Sequence, residues 1–513
     1  MDKSYMENQN RPIIWSIAGS DCSGGAGIQA DIKTGHALGC EVCTLITANT
    51  VQNSQCLQSV NPVPIAILQQ QFDCLLADKP PQTIKIGLIA NNQQLDWLIR
   101  VLKQLKQESA GLVVVLDPVM KASVGQDLVV ESMASMLFDE LLKLIDVVTP
   151  NHSEAASLAE DDKSTLSSSE WAEKILQKGC RSLIVTGGHG GSRQCVVDHC
   201  FFEKQHLVLE SPRTNTAYGH GSGCSLSTSV ASFLAHGYLL RDAFIHSQAF
   251  INKAFSLCPN EPNYYGALIQ PCWPVEKSFY PQVVLDKPCE SVSQSGFADL
   301  GTDKPGLYPV VDSVEWLETL MPLGIEIIQL RLKNKSEAEL RQCIQHAVNL
   351  CKQYPTRLFI NDYWQLAIEY DAYGVHLGQE DLQALSVEDL QTLQQSGIRL
   401  GISTHGAYEF LLAQQIKPSY LAIGAIFPTR TKDMTGQIQG VNNLRQILTL
   451  KTDIPVIAIG GITLKNAEEV IKTGVDSIAA VTAITHAENP VQAVKVLQTS
   501  FFKRSKTRLE NVV

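Results

Sequence analysis

Nowhere in the 513 residues is there an uninterrupted apolar run of the ~18 residues that a membrane-spanning helix needs. The opening MDKSYMENQNRP is polar, and the apolar stretch Pro12–Ala18 behind it is too short for a secretory leader with its flanks. A soluble, cytoplasmic chain with no membrane partner is expected. A cationic excess is missing too: 41 Lys and Arg stand against 52 Asp and Glu, a formal charge of −11. That argues against nucleic acid as a general partner, although a local Lys/Arg cluster can still hold an anionic substrate. No disulfide framework is expected in a chain this large, and none of the 14 cysteines follows Cys351. Cys40 and Cys43 form one CxxC with no second pair to complete a zinc ribbon, so strand packing within EVCTLITANTV accounts for them. Exact repeats and low-complexity tracts are absent.

What is present is enough sequence for at least two full cores, with an ordinary 44% hydrophobic and 18% charged composition. Over residues 12–260 short apolar runs alternate with helical patterns. Pro12–Ala18, Thr83–Gly87, Leu112–Leu116, Val147–Thr149 and Ser182–Thr186 read as buried strands, with Ile28–Leu38 and Leu95–Gln107 among the helices. This alternation predicts a doubly wound, mostly parallel α/β sheet. From Asn260 to Asp303 the pattern breaks into Pro- and Tyr-rich, then polar Gly/Ser-containing sequence, so the reading is a first domain over 1–270, a linker over 271–303 and a second domain over 304–513.

Eight strand candidates follow the linker: Leu307–Val311, Glu326–Leu330, Arg357–Ile360, Tyr373–Leu377, Ile398–Ile402, Tyr420–Ala425, Pro455–Ile459 and Asp476–Val481. Helical segments separate them, for example Ala338–Gln353 and Leu464–Thr473. That is the arithmetic of a (β/α)₈ barrel, and nearly all the chemically capable residues stand just after a strand, on the rim where such barrels build their sites.

In the first domain GHGSGCSLSTSVASFLAHG (219–237) is a glycine turn running into a helix, a ready site for the charge of a transferring phosphoryl group. SGGAG (23–27) is a second flexible loop, VTGGHG (185–190) another glycine turn, and NHSE (151–154) puts a carboxamide and a carboxylate one turn apart, able to organise Mg²⁺ around phosphates. In the second domain Arg331 and Lys333, in phase with Gln329, present a fork and a point charge suited to a pyrophosphate. Asp362, next to Asn361, and Asp381 in HLGQED follow neighbouring strands and can share one Mg²⁺. FPTRTK adds Thr429, Thr431 and Lys432, and GGIT with Val481–Thr482 occupies the usual barrel phosphate position.

The pieces AGSDCSGGAGIQADIKT, TVQNS, KIGLI, DPVM with the nearby SVG, TPNHSEA and GHGSGCSLS, spanning residues 12–240, resemble the ribokinase superfamily, and within it the hydroxymethylpyrimidine/phosphomethylpyrimidine kinases of thiamine synthesis. The resemblance implies that ATP with Mg²⁺ lies toward the C-terminal half, near Asn151 and Glu154. It implies that Gly221, Ser222, Gly223 and Cys224 form the anion hole and that Gln52, Asp31 and Gly19 contact the aminopyrimidine. Cys224 stands where most ribokinase relatives carry an Asp base. A thiol at a helix N-terminus can have a lowered pKa, so a base and an anion-hole amide are both open roles for it. AYG (217–219) interrupts the family's usual loop, Leu88 stands where Met is common, and Cys22 is read as incidental.

Residues 304–500, through GLYPVVD, QLRLK, FINDYWQLA, GVHLGQED, GISTH, FPTRTK and IGGIT, resemble thiamine-phosphate synthase. By that resemblance Gln329, Arg331, Lys333, Asn361 and Lys432 meet the pyrophosphate of the pyrimidine substrate, with Ser403 near its ring. Asp362 and Asp381 hold Mg²⁺, and Thr429, Thr431, Gly461, Val481 and Thr482 surround the thiazole phosphate. His376 and His405 read equally as bases or as packed side chains. The expected whole is a bifunctional enzyme whose first domain makes the diphosphate that the second consumes. Its partners are small molecules, with self-association a fold-level analogy. A pyridoxine/pyridoxal kinase competes for the first half, but Gln52 offers the donor–acceptor pair that suits an aminopyrimidine. A catalytically dead sensor of thiamine precursors is disfavoured by the retained Asn151/Glu154 and Asp362/Asp381 sets.

Overall fold

The computed structural model describes residues 11–53, 56–119, 135–161, 163–187, 194–259, 266–285, 287–293, 295–302, 305–429 and 438–510. The chain divides into two compact units, Met1–Val284 and Leu285–Val513.

Among its described residues the first unit contains ten strands: β1 (Ile13–Asp21), β2 (Glu41–Gln52), β3 (Leu57–Pro62), β4 (Thr83–Ile86), β5 (Val113–Leu116), β6 (Val147–Val148), β7 (Ser182–Val185), β8 (Cys195–Phe202), β9 (Gln205–Pro212) and β10 (Gln282–Val283). They make one sheet in the order β10-β9-β8-β7-β6-β5-β4-β1-β2-β3. The pairings from β2 through β1, β4, β5 and β6 to β7 are parallel. The outer pairings β2–β3, β7–β8, β8–β9 and β9–β10 are antiparallel. The five strands legible as unbroken apolar runs lie in the parallel centre, where both faces are covered. Helices cover the sheet: Asn92–Glu108 contributes Leu95, Trp97, Leu98, Leu102 and Leu105 to its core, at the 3.6-residue period that made it legible. Strand order turns back between β1 and β4, so the loops after these two strands leave in opposite directions and open a crevice at the strands' C-terminal ends.

The second unit is a closed parallel barrel of β11 (Gly306–Val311), β12 (Ile327–Leu330), β13 (Arg357–Asn361), β14 (Gly374–Leu377), β15 (Arg399–Thr404), β16 (Tyr420–Ile423), β17 (Val456–Ala458) and β18 (Ser477–Ala480). All eight expected strands are present within one or two residues, closed by the pairing of β11 with β18. Tyr308, Phe359 and Tyr420 fill the interior edge to face, with ring centroids 5.1–6.3 Å apart. Their bulk fits only because glycine stands opposite. A Cβ on Gly374 would lie 2.2 Å from Phe359, and one on Gly401 would lie 2.1 Å from Tyr420.

The stretch expected as a linker is shared between the units. Residues 271–284 carry β10 and the partly buried Trp273, which joins the core around Phe233. In 295–302, Ala298 O accepts from Ser419 Oγ at 2.5 Å, Gly296 O accepts from Gln394 Nε2 at 2.7 Å, and Leu300 packs into the barrel core. Pro and Tyr content marked the break in pattern but not the packing of these residues, which depends on distant partners. Among the described residues no helix is long and apolar enough to cross a membrane.

Gly401→Ala is expected to destabilise the barrel by about 1–3 kcal/mol, the usual cost of overpacking a filled core. Denaturant unfolding of the purified protein checks this, and the unfolding transition of the first unit should be unchanged.

Candidate active sites

In the first unit the strand ends surround a cavity of about 1040 Å³. That is room for a nucleotide and a small alcohol together. Gly19, Gln52, Asn151, Glu154, Gly221, Ser222, Gly223 and Cys224 all line it, although they come from four separate stretches of chain. The helix Ser222–Ala235 begins at Gly221, whose φ of 82° is a left-handed conformation that suits glycine. Small residues let this helix bury Ser225 through Phe233, with Ser229 and Ser232 hydroxyls returned to the helix's own carbonyls at 2.7 Å. The amides at its start therefore face the cavity from a fixed element. The AYG segment is packed rather than looped out: a Cβ on Gly266 would meet the Tyr218 ring at 2.1 Å.

Asp21, which the motif reading passed over, fastens the two glycine loops to each other. Its carboxylate accepts from the Ser23, Gly25 and Ala26 amides at 2.8–3.0 Å and from His220 Nε2 at 2.9 Å. Burial works to raise this carboxyl, but the His220 bond and the loop donors outweigh it and hold the group well below the carboxylate range. The signal was in the sequence: an acid directly before SGGAG and a histidine inside GHGSGC.

Asp31 does not touch the cavity. It is fully buried, 3.1 Å from Lys85 Nζ through both oxygens, and accepts from Thr228 Oγ1 at 2.7 Å and Ser16 Oγ at 2.5 Å. The expected pyrimidine contact is a structural acid beneath the site. Lys85, equally buried, does line the cavity, as does Asp117, which is 3.6 Å from the lysine. Cys224 sits above this group. Burial pushes its thiol up to about 12 against the pull of Lys85, with Asp117 and Asp31 adding to the rise. The depression expected from a helix N-terminus is absent, because burial and two carboxylates oppose it, so Cys224 rests as a thiol. Cys22 donates to Gln52 O at 3.1 Å and braces the backbone of the residue expected to read the pyrimidine.

Asn151 and Glu154 form a reciprocal helix cap: Asn151 Oδ1 accepts from the Glu154 amide at 3.0 Å, and Glu154 Oε2 accepts from the Asn151 amide at 2.9 Å. The carboxamide oxygen is thus committed to the cap. Glu154 is pushed up to about 8, first by burial and then by Asp117. Two acids crowded at a cavity wall are an arrangement that a cation relieves, so this pair fits Mg²⁺.

In the second unit Lys333 Nζ is 2.7 Å from Asp362 Oδ2, and the Asp381 carboxyl is raised by burial and then by Asp362 beside it. Asp362 has a φ of 68°, a conformation that costs an ordinary side chain on the order of 1 kcal/mol or more and that aims the residue at the rim. Two facing carboxylates fit Mg²⁺, with substrate oxygens completing the shell. The Arg331 guanidinium makes no hydrogen bond to any described residue. Asn361 is buried at the end of β13. Gln329 is 3% exposed and donates inward to Tyr308 OH at 3.1 Å, so it serves the barrel interior more than the rim. His376 is held by Tyr420 OH and Ser403 Oγ, each at 2.8 Å, and burial lowers it to about 4. His405 lies 2.9 Å from the buried Glu409. Gly460 and Gly461, with φ of 97° and 64°, turn tightly against Ala425 and Phe427. Val481 and Thr482 follow β18, and Thr429 follows β16. Thr431 and Lys432, like residues 188–190 of the glycine turn and Met120 of DPVM, lie outside the described residues.

Asp21→Ala strands three loop amides and the His220 ring. It is expected to lower the first unit's unfolding free energy by about 2–4 kcal/mol and to expose residues 23–27 to protease. Because the folded pKa is depressed, this contribution is complete above the carboxylate's ordinary value of about 4. It is lost as pH falls from there toward the folded value. Denaturant titrations at neutral and acid pH measure both effects.

Residues 21–268 match the family profile described as phosphomethylpyrimidine kinase, and residues 307–484 match that described as thiamine monophosphate synthase. The thiamine-phosphate synthase of Yersinia pestis (strain Pestoides F) is 51% identical over 184 residues, covering 36% of this chain and 84% of that protein. A solved phosphomethylpyrimidine kinase from Clostridium difficile 630 is 30% identical and covers 48% of this chain and 99% of its own, with a TM-score of 0.40. A pyridoxal kinase from Staphylococcus aureus is 25% identical over 54% of this chain and 98% of its own, with a TM-score of 0.47. The chain joins a phosphomethylpyrimidine kinase domain to a thiamine-phosphate synthase domain, and through the latter it belongs to the thiamine-phosphate synthase family.

Proposed function

We propose that the first unit phosphorylates 4-amino-5-hydroxymethyl-2-methylpyrimidine and then its monophosphate with ATP, and that the second unit joins the resulting diphosphate to thiazole phosphate. The observation that carries the kinase half is the convergence of Gly19, Gln52, Asn151, Glu154 and the Gly221–Cys224 turn on one cavity at the sheet's crevice. The substrate's hydroxyl oxygen, and in the second step its phosphate oxygen, forms a bond to the γ-phosphorus as the bond to ADP breaks, and the hydroxyl's proton leaves to the transferred phosphate or to water. The amides of Gly223 and Cys224 stabilise the charge spread over the transferring group. Such a transfer asks mainly for positioning and charge stabilisation. A resting Cys224 thiol suits that role better than a thiolate base. Mg²⁺ would be held at Glu154 and Asp117, where it would neutralise phosphate charge.

In the second unit the C–O bond between the pyrimidine methylene and pyrophosphate breaks, the aminopyrimidine stabilises the cation, and the thiazole nitrogen supplies the electron pair of the new C–N bond. Arg331 and Lys333 take up the leaving group's charge, Ser403 orients the pyrimidine, and Gly461, Val481 and Thr482 hold the thiazole phosphate. Thr429, Thr431 and Lys432 belong to this proposed set. Mg²⁺ at Asp362 and Asp381 would assist pyrophosphate departure. The setting we infer is cytoplasmic, with small-molecule partners and self-association of the chain.

One coupled assay tests the whole reading. Hydroxymethylpyrimidine, thiazole phosphate, ATP and Mg²⁺ should yield thiamine phosphate, and no product from either half at high enzyme concentration would leave the reading without support. Cys224→Ala keeps the backbone amide and removes only the thiol, so it should cut kinase turnover by about tenfold at most, the scale of one lost neutral hydrogen bond, and leave the synthase intact. Asp362→Ala should do the reverse, and loss of both activities in either folded variant would refute independent sites. Glu154 predicts a pH dependence. Its carboxyl, near 8 in the free site, must lose a proton to face Mg²⁺. Affinity for a non-hydrolysable Mg–ATP analogue should therefore rise with pH, by up to about tenfold per unit, and level off above about 8. Calorimetry on Glu154→Gln should give weaker binding without that slope.

A further inference from the structure

Five side chains from five different strands form one hydrogen-bonded chain through the barrel. Gln329 Nε2 lies 3.1 Å from Tyr308 OH, which is 2.7 Å from Tyr420 OH. Tyr420 OH is 2.8 Å from His376 Nδ1, and His376 Nε2 is 2.8 Å from Ser403 Oγ. The imidazole stacks on the Tyr420 ring at 5.6 Å and 14°, so it cannot turn without unstacking. Tyr420, Tyr308, Gln329 and His376 are 0%, 1%, 3% and 5% exposed. Ser403 is half-exposed, and it alone of the five reaches the rim.

The direction in which the protons point follows from counting donors. An amide nitrogen only donates, so Tyr308 accepts from Gln329. If Tyr420 also donated to Tyr308, the Tyr308 proton would have no acceptor among the described residues, a buried unpaired donor of the kind folded proteins avoid. Tyr308 therefore donates to Tyr420, and Tyr420 donates to His376 Nδ1. A neutral ring with an unprotonated Nδ1 carries its proton on Nε2, which donates to Ser403 Oγ. The serine oxygen has then accepted its internal bond, and its own proton is left for whatever lies in the site.

We propose that Tyr308, Tyr420 and His376 are positioning residues that hold Ser403 as a hydrogen-bond donor, so that the substrate atom facing Ser403 is an acceptor, a ring nitrogen or an oxygen, and never an amino group. This rests on the reading of Ser403 as a substrate contact. The two stand or fall separately in one set of measurements on the full chain. Ser403→Ala should lower synthase kcat about tenfold or more. Tyr420→Phe, nearly isosteric, should lower it by a similar factor, because His376 is released to either tautomer. Tyr308→Phe should cost less than threefold, since Tyr420 can still donate to Nδ1. In the Ser403→Ala background, Tyr420→Phe should change kcat by less than twofold. A full-sized second loss would overturn the relay while leaving Ser403 as a contact. No loss in Ser403→Ala would overturn the contact and the relay together. The unsubstituted protein provides an independent reading if the variants do not fold. In ¹⁵N-histidine-labelled chain, with His376→Gln used for assignment, Nε2 should resonate as a protonated nitrogen and Nδ1 as an unprotonated one. The opposite pattern would overturn the proposal.

Discussion

The kinase site depends on one buried ion pair. Lys85 and Asp31, both without solvent exposure, sit where β1, β4, the helix Gly27–Ala37 and the helix Ser222–Ala235 meet. Asp31 receives Lys85, Ser16 and Thr228, so a single carboxylate ties these four elements together. Burial works to lower the lysine's pKa and Asp31 holds it up, so the charge persists. A buried pair of this kind adds little net stability, but losing either partner would leave the other charged in a dry place. Its consequence is positional: the turn that carries Gly223 and Cys224 is held above a fixed cation, and Asp117 is drawn in from β5.

The two units reach similar electrostatics from different architectures. Each gathers its polar residues at the C-terminal ends of parallel strands. Each also places two acids close together, Glu154 near Asp117 and Asp381 near Asp362; burial first and the neighbouring charge second raise Glu154 and Asp381 above their ordinary values, and burial raises Asp117 too. In each case a cationic side chain is close by, Lys85 or Lys333, but does not cancel the crowding. Phosphate chemistry suits such sites, because a divalent cation and the substrate's own charge complete what the protein leaves unbalanced.

The elements and residues that were legible share one property: their signal is local. Barrel strands such as Tyr420–Ile423 are short apolar runs between polar segments, and rim residues such as Asp362 and Ser403 stand at the strand ends where barrels work. The glycine turn before Cys224 was legible for the same reason. Strands β3, β8, β9 and β10 were missed because they pair antiparallel toward the two ends of the sheet, outside the strand–helix alternation that marks its parallel centre. Asp31 and Gln329 were misplaced because a polar side chain beneath a site and one beside it look identical in sequence. The Asp21–His220 bond joins residues 199 positions apart, beyond any motif.

By itself, then, the sequence determined the two architectures and the order of the two catalytic domains, because periodicity and glycine placement are properties of short stretches. Only the tertiary structure decided how those residues are used. It put Asp31 under the cavity, kept Cys224 a thiol, and turned Gln329, Tyr308, Tyr420, His376 and Ser403 into one chain with a direction. Burial and proton accounting depend on every neighbour at once, and those neighbours come from strands far apart in sequence.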